Sequence, residues 1–367
     1  MLKTAEAIFL TDSLYVRKVA GKWHTRHTGR GSDSIDPLSV STLFRFYRLR
    51  FHFVSDDTVY YPAGKAGNVI RGALGYILKD IACVAECPGA RTCGMRTSCG
   101  YARIFEPVAC EGGPSGLQDQ PRPFVLRAAH LDGVTVAAGG RFWFDIHLFL
   151  TQDPPLEYFI LAFSQLAQTG LGPSRGRVRL ERVDLVGLDD YQNVGCTRIF
   201  ENGRFVARIL PEALGVPVVS QGFKSAEGDS ELQIRFSTPT ELKQDGQIAT
   251  RPEFGLLIGR IAERLSNLSS LYGDPLDWDW RGLVERAQTV RLVEMRIGSG
   301  EVLTRFSTKT RQWHGLGGLT GEARYAGRVL EFVPMLEAAK YCGIGRHTVW
   351  GNGILECIGG SIGSGTQ

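Results

Sequence analysis

The sequence predicts an α+β protein built from two tandem βαββαβ units, and two observations carry this. A helically spaced apolar segment, a Gly-x-Gly loop with an arginine and a strand follow one another twice. The first passage runs from Leu156 through Gly170-Leu-Gly-Pro-Ser-Arg-Gly176 to Leu180. The second runs from Phe332 through Tyr341-Cys-Gly-Ile-Gly-Arg-His-Thr-Val-Trp-Gly-Asn-Gly353 to Ile358. The order ahead of each loop repeats too, an alternating strand and then a helix opening each half. That order fits two ferredoxin-like domains. The expected layout is an extension over residues 1–40, a first domain over 41–187, a connecting segment over 188–230 and a second domain over 231–367.

Residues 1–40 are mixed in character, with Thr28-Gly-Arg-Gly-Ser-Asp-Ser34 in the middle, and read as a weakly ordered extension. From Leu43 the pattern is regular. Tyr47, Leu49, Phe51 and Phe53 alternate with Arg48, Arg50 and His52, a half-buried strand with a solvated basic side. Val69, Ala73, Tyr76 and Ile77 then recur at helical spacing, and Gly72 and Gly75 within that helix imply close packing against something. Cys83, Cys87, Cys93 and Cys99 follow in a Gly- and Pro-containing insertion with few apolar residues. Their spacing is not the tight CxxC…CxxC pattern. Four thiolates could still close a structural Zn²⁺ site that staples the insertion, and four reduced thiols in a loop is the competing reading.

Pro123–Leu126 and Arg141–Leu150 are the next strands; Phe142, Phe144, Ile146, Leu148 and Leu150 share a face and His147 points the other way. Leu156–Gln168 is a helix that leads into the first Gly loop, where Arg175 sits. In the second half, Leu232–Phe236 alternates. A long helix from Phe254 places Leu257, Ile258, Ile261, Leu265 and Leu268 on one face. Residues 301–325 read as a strand, a basic turn and a returning strand, in which Arg305, Lys309 and Arg311 interleave with Phe306, Trp313 and His314.

The totals describe a globular chain: 367 residues, 43% hydrophobic, 22% charged and a net charge of +4. That length allows two cores, and the mild positive charge permits an anionic partner without demanding one. No apolar run reaches the roughly 18 residues of a membrane span. The first ten residues carry a carboxylate within their apolar part and no small-residue cleavage site, a poor secretory signal. The expectation is therefore a cytoplasmic protein with reduced or metal-bound cysteines, monomeric or homodimeric.

The chemistry lies in the final loop and the basic hairpin. Glycines admit positive φ and close approach to bare N–H groups, and successive N–H groups form anion-binding concavities. Gly343, Gly345, Gly351 and Gly353 with Arg346, whose planar fork suits phosphate, are candidate RNA-binding residues, as is Arg175 in the matching loop. Arg305, Arg311 and Trp313 add charge for an RNA backbone and a ring face for bases.

These stretches together resemble the CRISPR repeat-processing endoribonucleases of the RAMP superfamily. The resemblance spans roughly residues 44–358. It rests on Gly343–Gly353, Arg305-Phe-Ser-Thr-Lys-Thr-Arg311 with Gly317-Gly-Leu-Thr-Gly321, Ile70-Arg-Gly-Ala-Leu-Gly75 with the cysteine cluster, Tyr101-Ala-Arg-Ile-Phe-Glu106, and Phe236-Ser-Thr-Pro-Thr240. It implies two RRM-like domains and metal-independent cleavage of CRISPR precursor RNA within repeats. It also implies delivery of guide RNA to other CRISPR effector subunits. The RNA's own 2′-OH would attack the adjacent phosphorus, leaving a 2′,3′-cyclic phosphate and a 5′-OH. A base, an acid and cations for the phosphorane are then required, and histidine suits the first two. His347 is the first candidate and His314 the second, with Tyr341 and Lys309 as helpers. The family often places such residues on or beside the first helix, which keeps His52, Lys65 and Tyr76 in view. Two alternatives stand against this: a non-catalytic guide-RNA-binding RAMP subunit, and a zinc enzyme using the cysteines. No HxE or HExxH lies beside those cysteines to support the latter.

Overall fold

The computed structural model describes residues 7–11, 14–19, 22–27, 42–84, 86–108, 120–188, 196–207, 210–219, 229–244, 246–299, 304–307, 312–315 and 317–362. The N-terminal stretch, read as a weakly ordered extension, carries a three-stranded antiparallel sheet: β1 (Ala7–Thr11), β2 (Leu14–Val19) and β3 (Lys22–His27).

The first half contains β4 (Leu43–Ser55), β5 (Val59–Tyr60), α1 (Ala66–Ala82), α2 (Gly100–Ile104), β6 (Phe124–Arg127), β7 (Thr135–Val136) and β8 (Arg141–Leu148). It continues with α3 (Leu156–Ser164), α4 (Leu166–Thr169), β9 (Val178–Leu185), β10 (Thr197–Glu201), β11 (Arg204–Phe205) and β12 (Leu214–Pro217). Its main sheet runs β11-β10-β9-β4-β8-β6, and β12 pairs with the start of β4. The 188–230 stretch, expected as a connecting segment, thus contributes three short strands to this sheet.

The second half contains β13 (Ser230–Thr240), β14 (Lys243–Gln244), β15 (Gln247–Ile248), α5 (Phe254–Tyr272), α6 (Trp280–Ala287) and β16 (Arg291–Ser299). Then come β17 (Thr304–Ser307), β18 (Gln312–Gly315), β19 (Leu319–Gly327), α7 (Val333–Cys342) and β20 (Leu355–Ile362). Its sheet runs β16-β19-β13-β20, all antiparallel. The order β9-β4-β8-β6 and this one are the same, fourth-first-third-second when the strands of each βαββαβ unit are counted in chain order.

The two helix-to-strand loops repeat at the level of dihedral angles. Gly170, after α4, has φ 71° and ψ 170°, and Gly343, after α7, has φ 68° and ψ 166°. Two residues on, Gly172 and Gly345 have φ 79° and 72°. Only glycine adopts such conformations without strain, which is why the motif is visible in the sequence.

Strand β4 joins the halves. Its odd residues Leu49, Phe51 and Phe53 lie in the first core with Ile70, Leu74, Phe144, Phe159 and Phe163. Its even residues divide. Phe44 and Phe46 lie in the second core, with residues of α5, α7 and β13. Arg48, Arg50 and His52 form a polar continuation of the same face, which is less solvated than the alternation implied. Arg48 is buried and gives two hydrogen bonds to Asp145, Arg50 gives two more and lies over the Trp143 ring, and His52 Nε2 is 3.1 Å from Asp184.

Candidate functional site

The final loop leaves α7 at Gly343 and rests on the start of α1. A Cβ on Gly67 would come within 2.0 Å of the Trp350 carbonyl oxygen, so this contact is backbone against backbone. From there a column of flat groups crosses between the halves. The His347 ring stacks on Trp350 with centroids 4.5 Å apart and planes 6° from parallel. The Arg71 guanidinium lies 5.6 Å from the Trp350 ring and 4.4 Å from Phe105, and Phe105 stacks on Tyr101 at 5.5 Å. Gly75 is required beneath this column, because a Cβ there would meet Phe105 at 2.1 Å. The expected close packing of α1 is met at Gly75 but not at Gly72, where nothing lies within 4 Å.

His347 itself takes φ 65°, a left-handed conformation that histidine tolerates better than most residues but that is still unusual. Its side chain is 12% exposed and its Nε2 lies 3.6 Å from the buried carboxylate of Glu241. The other Glu241 oxygen accepts from Arg346 Nη1 at 2.6 Å, and the Glu241 carbonyl accepts from the Arg346 N–H at 3.1 Å. Glu241 follows directly on the Phe236–Thr240 stretch, yet no spacing rule marked it as part of this site.

The expectation of a loop with outward N–H groups is corrected in part. Ile344 N donates to Gly353 O, Gly353 N to Pro239 O, and Arg346 N to Glu241 O. These groups are used to close the loop on itself and on the end of β13, so they are not available to a phosphate. Arg346, half-exposed, is the loop's cation at the surface.

Tyr341, a candidate helper, lies in the packed joint between the halves. Its ring is 4.7 Å from Phe46 and 5.7 Å from His147, and its carbonyl accepts from His147 Nδ1 and Arg127 Nη2. Arg127 also donates to Lys340 O, and Arg264 donates twice to Cys342 O. Cations therefore cap the last carbonyls of α7, where the helix dipole is negative. Burial, and then the Arg127 charge, hold the His147 imidazole well below its ordinary pKa.

Arg175 is an exposed left-handed residue (φ 50°) in the first loop. Lys65 precedes the first turn of α1, and Tyr76 is 72% exposed on the same helix. Arg305 pairs with His314, and Phe306 with Trp313, across the β17–β18 hairpin. Lys309 and Arg311 lie outside the described residues, and no described contact joins this hairpin to His347.

Among the cysteines, Cys83 ends α1, Cys99 precedes α2, and Cys99 Sγ donates to Ala82 O at 3.8 Å. Burial first, then Cys87 and Cys99 beside it, push the Cys83 thiol up to about 12. The Gly89 N–H, with Cys83 and Cys93, holds Cys87 below the ordinary thiol value against the effect of burial. The thiols of Cys83, Cys87, Cys93 and Cys99 thus neighbour one another, but among the described residues no group of three or more His, Cys, Asp or Glu is arranged to hold a metal ion. The zinc expectation is not supported by this arrangement.

The architecture is thus that of two antiparallel α/β units, with a Gly-rich loop of the second seated on the first helix of the first. Residues 234–355 match the family model of the CRISPR-associated endoribonuclease Cas6, and residues 44–212 match that of an N-terminal domain, AF_1859_N. The match over 234–355 bears out the resemblance to CRISPR repeat-processing endoribonucleases read from the sequence. No curated protein matches. Among solved structures the chain is similar to a Cas6 product complex, at 16% identity over 85% of this chain and 99% of that chain, with a TM-score of 0.46. It is also similar to Thermus thermophilus Cas6, at 14% identity over 85% and 98%, with a TM-score of 0.43. A partial Cas6-RT-Cas1–Cas2 complex is similar at 13% identity over 89% of this chain and 47% of that chain, TM-score 0.48. Likenesses this distant add no argument to the family match. No helix among the described residues is long and apolar enough to cross a membrane.

Proposed function

We propose that this chain binds CRISPR precursor RNA and cleaves it within the repeats, using two ferredoxin-like domains and no catalytic metal. One observation carries the reading: stretches far apart in sequence converge on one place. Arg71 comes from Ile70–Gly75, Phe105 from Tyr101–Glu106, His347 and Trp350 from Gly343–Gly353, and Glu241 from the end of Phe236–Thr240. A column of packed rings explains the conformation of the loop, and a histidine with a carboxylate and an arginine beside it has the makings of proton transfer next to a phosphate.

In this reaction the 2′-oxygen bonds to phosphorus as its proton passes to a base. The bond from phosphorus to the 5′-oxygen breaks as that oxygen takes a proton from an acid. His347 is the group proposed to exchange one of these protons, and Arg346 the cation proposed to face the phosphate. His314 and Lys309 on the hairpin are the groups proposed for the other proton and the phosphorane charge. The partners in this reading are repeat RNA and other CRISPR effector subunits.

The test is cleavage of a repeat-containing RNA in EDTA by the wild type, His347→Ala and His314→Ala. Wild-type cleavage to a 2′,3′-cyclic end is expected, with loss in His347→Ala and RNA binding kept. A wild type that binds the RNA and never cuts it would replace this reading with that of a guide-RNA-binding subunit.

A further inference from the structure

We infer that Glu241 is a positioning residue that fixes the tautomer and charge of the His347 imidazole; this rests on the proposed role of His347. Three observations converge. First, the Glu241 carboxylate is held rigidly. Its side chain is 5% exposed, one oxygen is 2.6 Å from Arg346 Nη1, and its own carbonyl binds the Arg346 N–H. Gly345 packs so closely on that carbonyl that a Cβ would lie 2.3 Å from it. Second, the remaining oxygen faces His347 Nε2 at 3.6 Å, an ion-pair distance once the ring is protonated. Third, the ring cannot swing away without leaving the Trp350 face, and its backbone is already held in the left-handed region. Backbone strain of this kind persists only where surrounding contacts over-determine it.

The chemical consequence follows from the two ring nitrogens. A carboxylate opposite Nε2 favours the proton on that atom, so the neutral ring carries its lone pair on Nδ1, the form needed to accept a proton there. When the ring gains a second proton, the same carboxylate stabilises the imidazolium. This is the division of labour between an orienting carboxylate and a histidine base seen in hydrolytic triads. Arg71 on α1 lies over the Trp350 ring on which His347 stacks, Arg346 in the loop shares the Glu241 carboxylate, and that carboxylate faces the His347 ring. Glu241 also binds Arg346, so a purely structural role in the loop is the competing explanation, and the test must separate the two.

The experiment has two arms on the full chain. In the first, ¹⁵N-histidine NMR of the wild type, with His347→Gln to assign the signal, reads the tautomer of neutral His347. The Nε2–H form is expected, and the Nδ1–H form overturns the inference whether or not the protein cleaves RNA. In the second, Glu241→Gln keeps the shape and an acceptor for Arg346 but removes the charge. Repeat-RNA cleavage is followed from pH 5 to 8, with thermal melting as the check on folding. The rate constant at saturating RNA should fall by about tenfold or more with KM nearly unchanged, and the acid limb of the profile should move to lower pH. A rate and profile equal to wild type overturn the inference. A raised KM alone assigns Glu241 to loop structure and also overturns it. If the wild type itself never cleaves, the proposed function fails and the tautomer alone decides the pairing of Glu241 with His347.

Discussion

The missing side chain of Gly67 and the carbonyl of Trp350 define how the two halves meet: a Cβ on the first would stand 2.0 Å from the second. The start of α1 is therefore pressed directly on the loop that carries His347. An alanine at position 67 gains about 1 kcal/mol of helix propensity over glycine. The clash is with backbone, which cannot rotate aside, and overpacking of this kind costs about 1–3 kcal/mol or more. With a backbone clash at the upper end of that range, Gly67→Ala should lower stability in denaturant by about 2 kcal/mol net. It should also reduce RNA cleavage more than its folded fraction accounts for. A variant as stable as wild type would show that this contact gives way easily.

Phe46 belongs by sequence to the first sheet but by packing to the second core, 4.7 Å from Tyr341 and 5.5 Å from His147. Phe46→Ala should cost about 3–5 kcal/mol, the usual price of emptying an aromatic core site. It should also turn one unfolding transition into two, because it loosens the joint while leaving each core intact. Coincident circular-dichroism and tryptophan-fluorescence melts of the variant would argue against that role.

His147 gives the fold a pH dependence. Burial, then Arg127, hold its folded imidazole well below the ordinary value, while Nδ1–H donates to Tyr341 O. The unfolded chain protonates near pH 6.5 and the folded one does not, so below that pH the unfolded state binds more protons. Stability is complete above about pH 6.5 and declines as pH falls, by at most about 1.4 kcal/mol per pH unit from this group. His147→Gln should be less stable at pH 8 yet decline less steeply between pH 7 and 5. Equal slopes in urea titrations of the two proteins would remove His147 as the cause.

The cysteine segment predicts an order of reactivity. Cys87, held low by the Gly89 N–H and the neighbouring thiols, should alkylate first at pH 7. Cys83, pushed up to about 12, should alkylate last. A timed iodoacetamide reaction read by peptide mass spectrometry measures this. Protection of all four cysteines that EDTA relieves would instead restore the metal site expected from their clustering.

The βαββαβ order of both halves was legible because strand alternation and helical spacing are local consequences of burying one face. The paired loops were legible because Gly170 and Gly343 adopt a backbone that other residues avoid. The site was legible only in pieces. His347 and Arg346 stood out by residue type, and Arg71 and Phe105 lay inside recognisable stretches without any sign that they touch. Glu241 carried no signal, since one carboxylate after a strand looks like any other until the Gly345 backbone is laid against it. Tyr341 drew notice beside the loop, yet its ring fills the joint.

The sequence by itself thus determined the main strands and helices of each βαββαβ unit, their order, and where the chain must turn through glycine, because these depend on neighbours a few residues away. The short strands of the N-terminal stretch and of 188–230 were not read from it. Only the tertiary structure decided that β4 serves two cores and that the final loop lies on α1. The same holds for the partnership of Glu241 with His347. Those contacts join residues more than a hundred positions apart, and shape and charge complementarity between surfaces selects them, which no local pattern records.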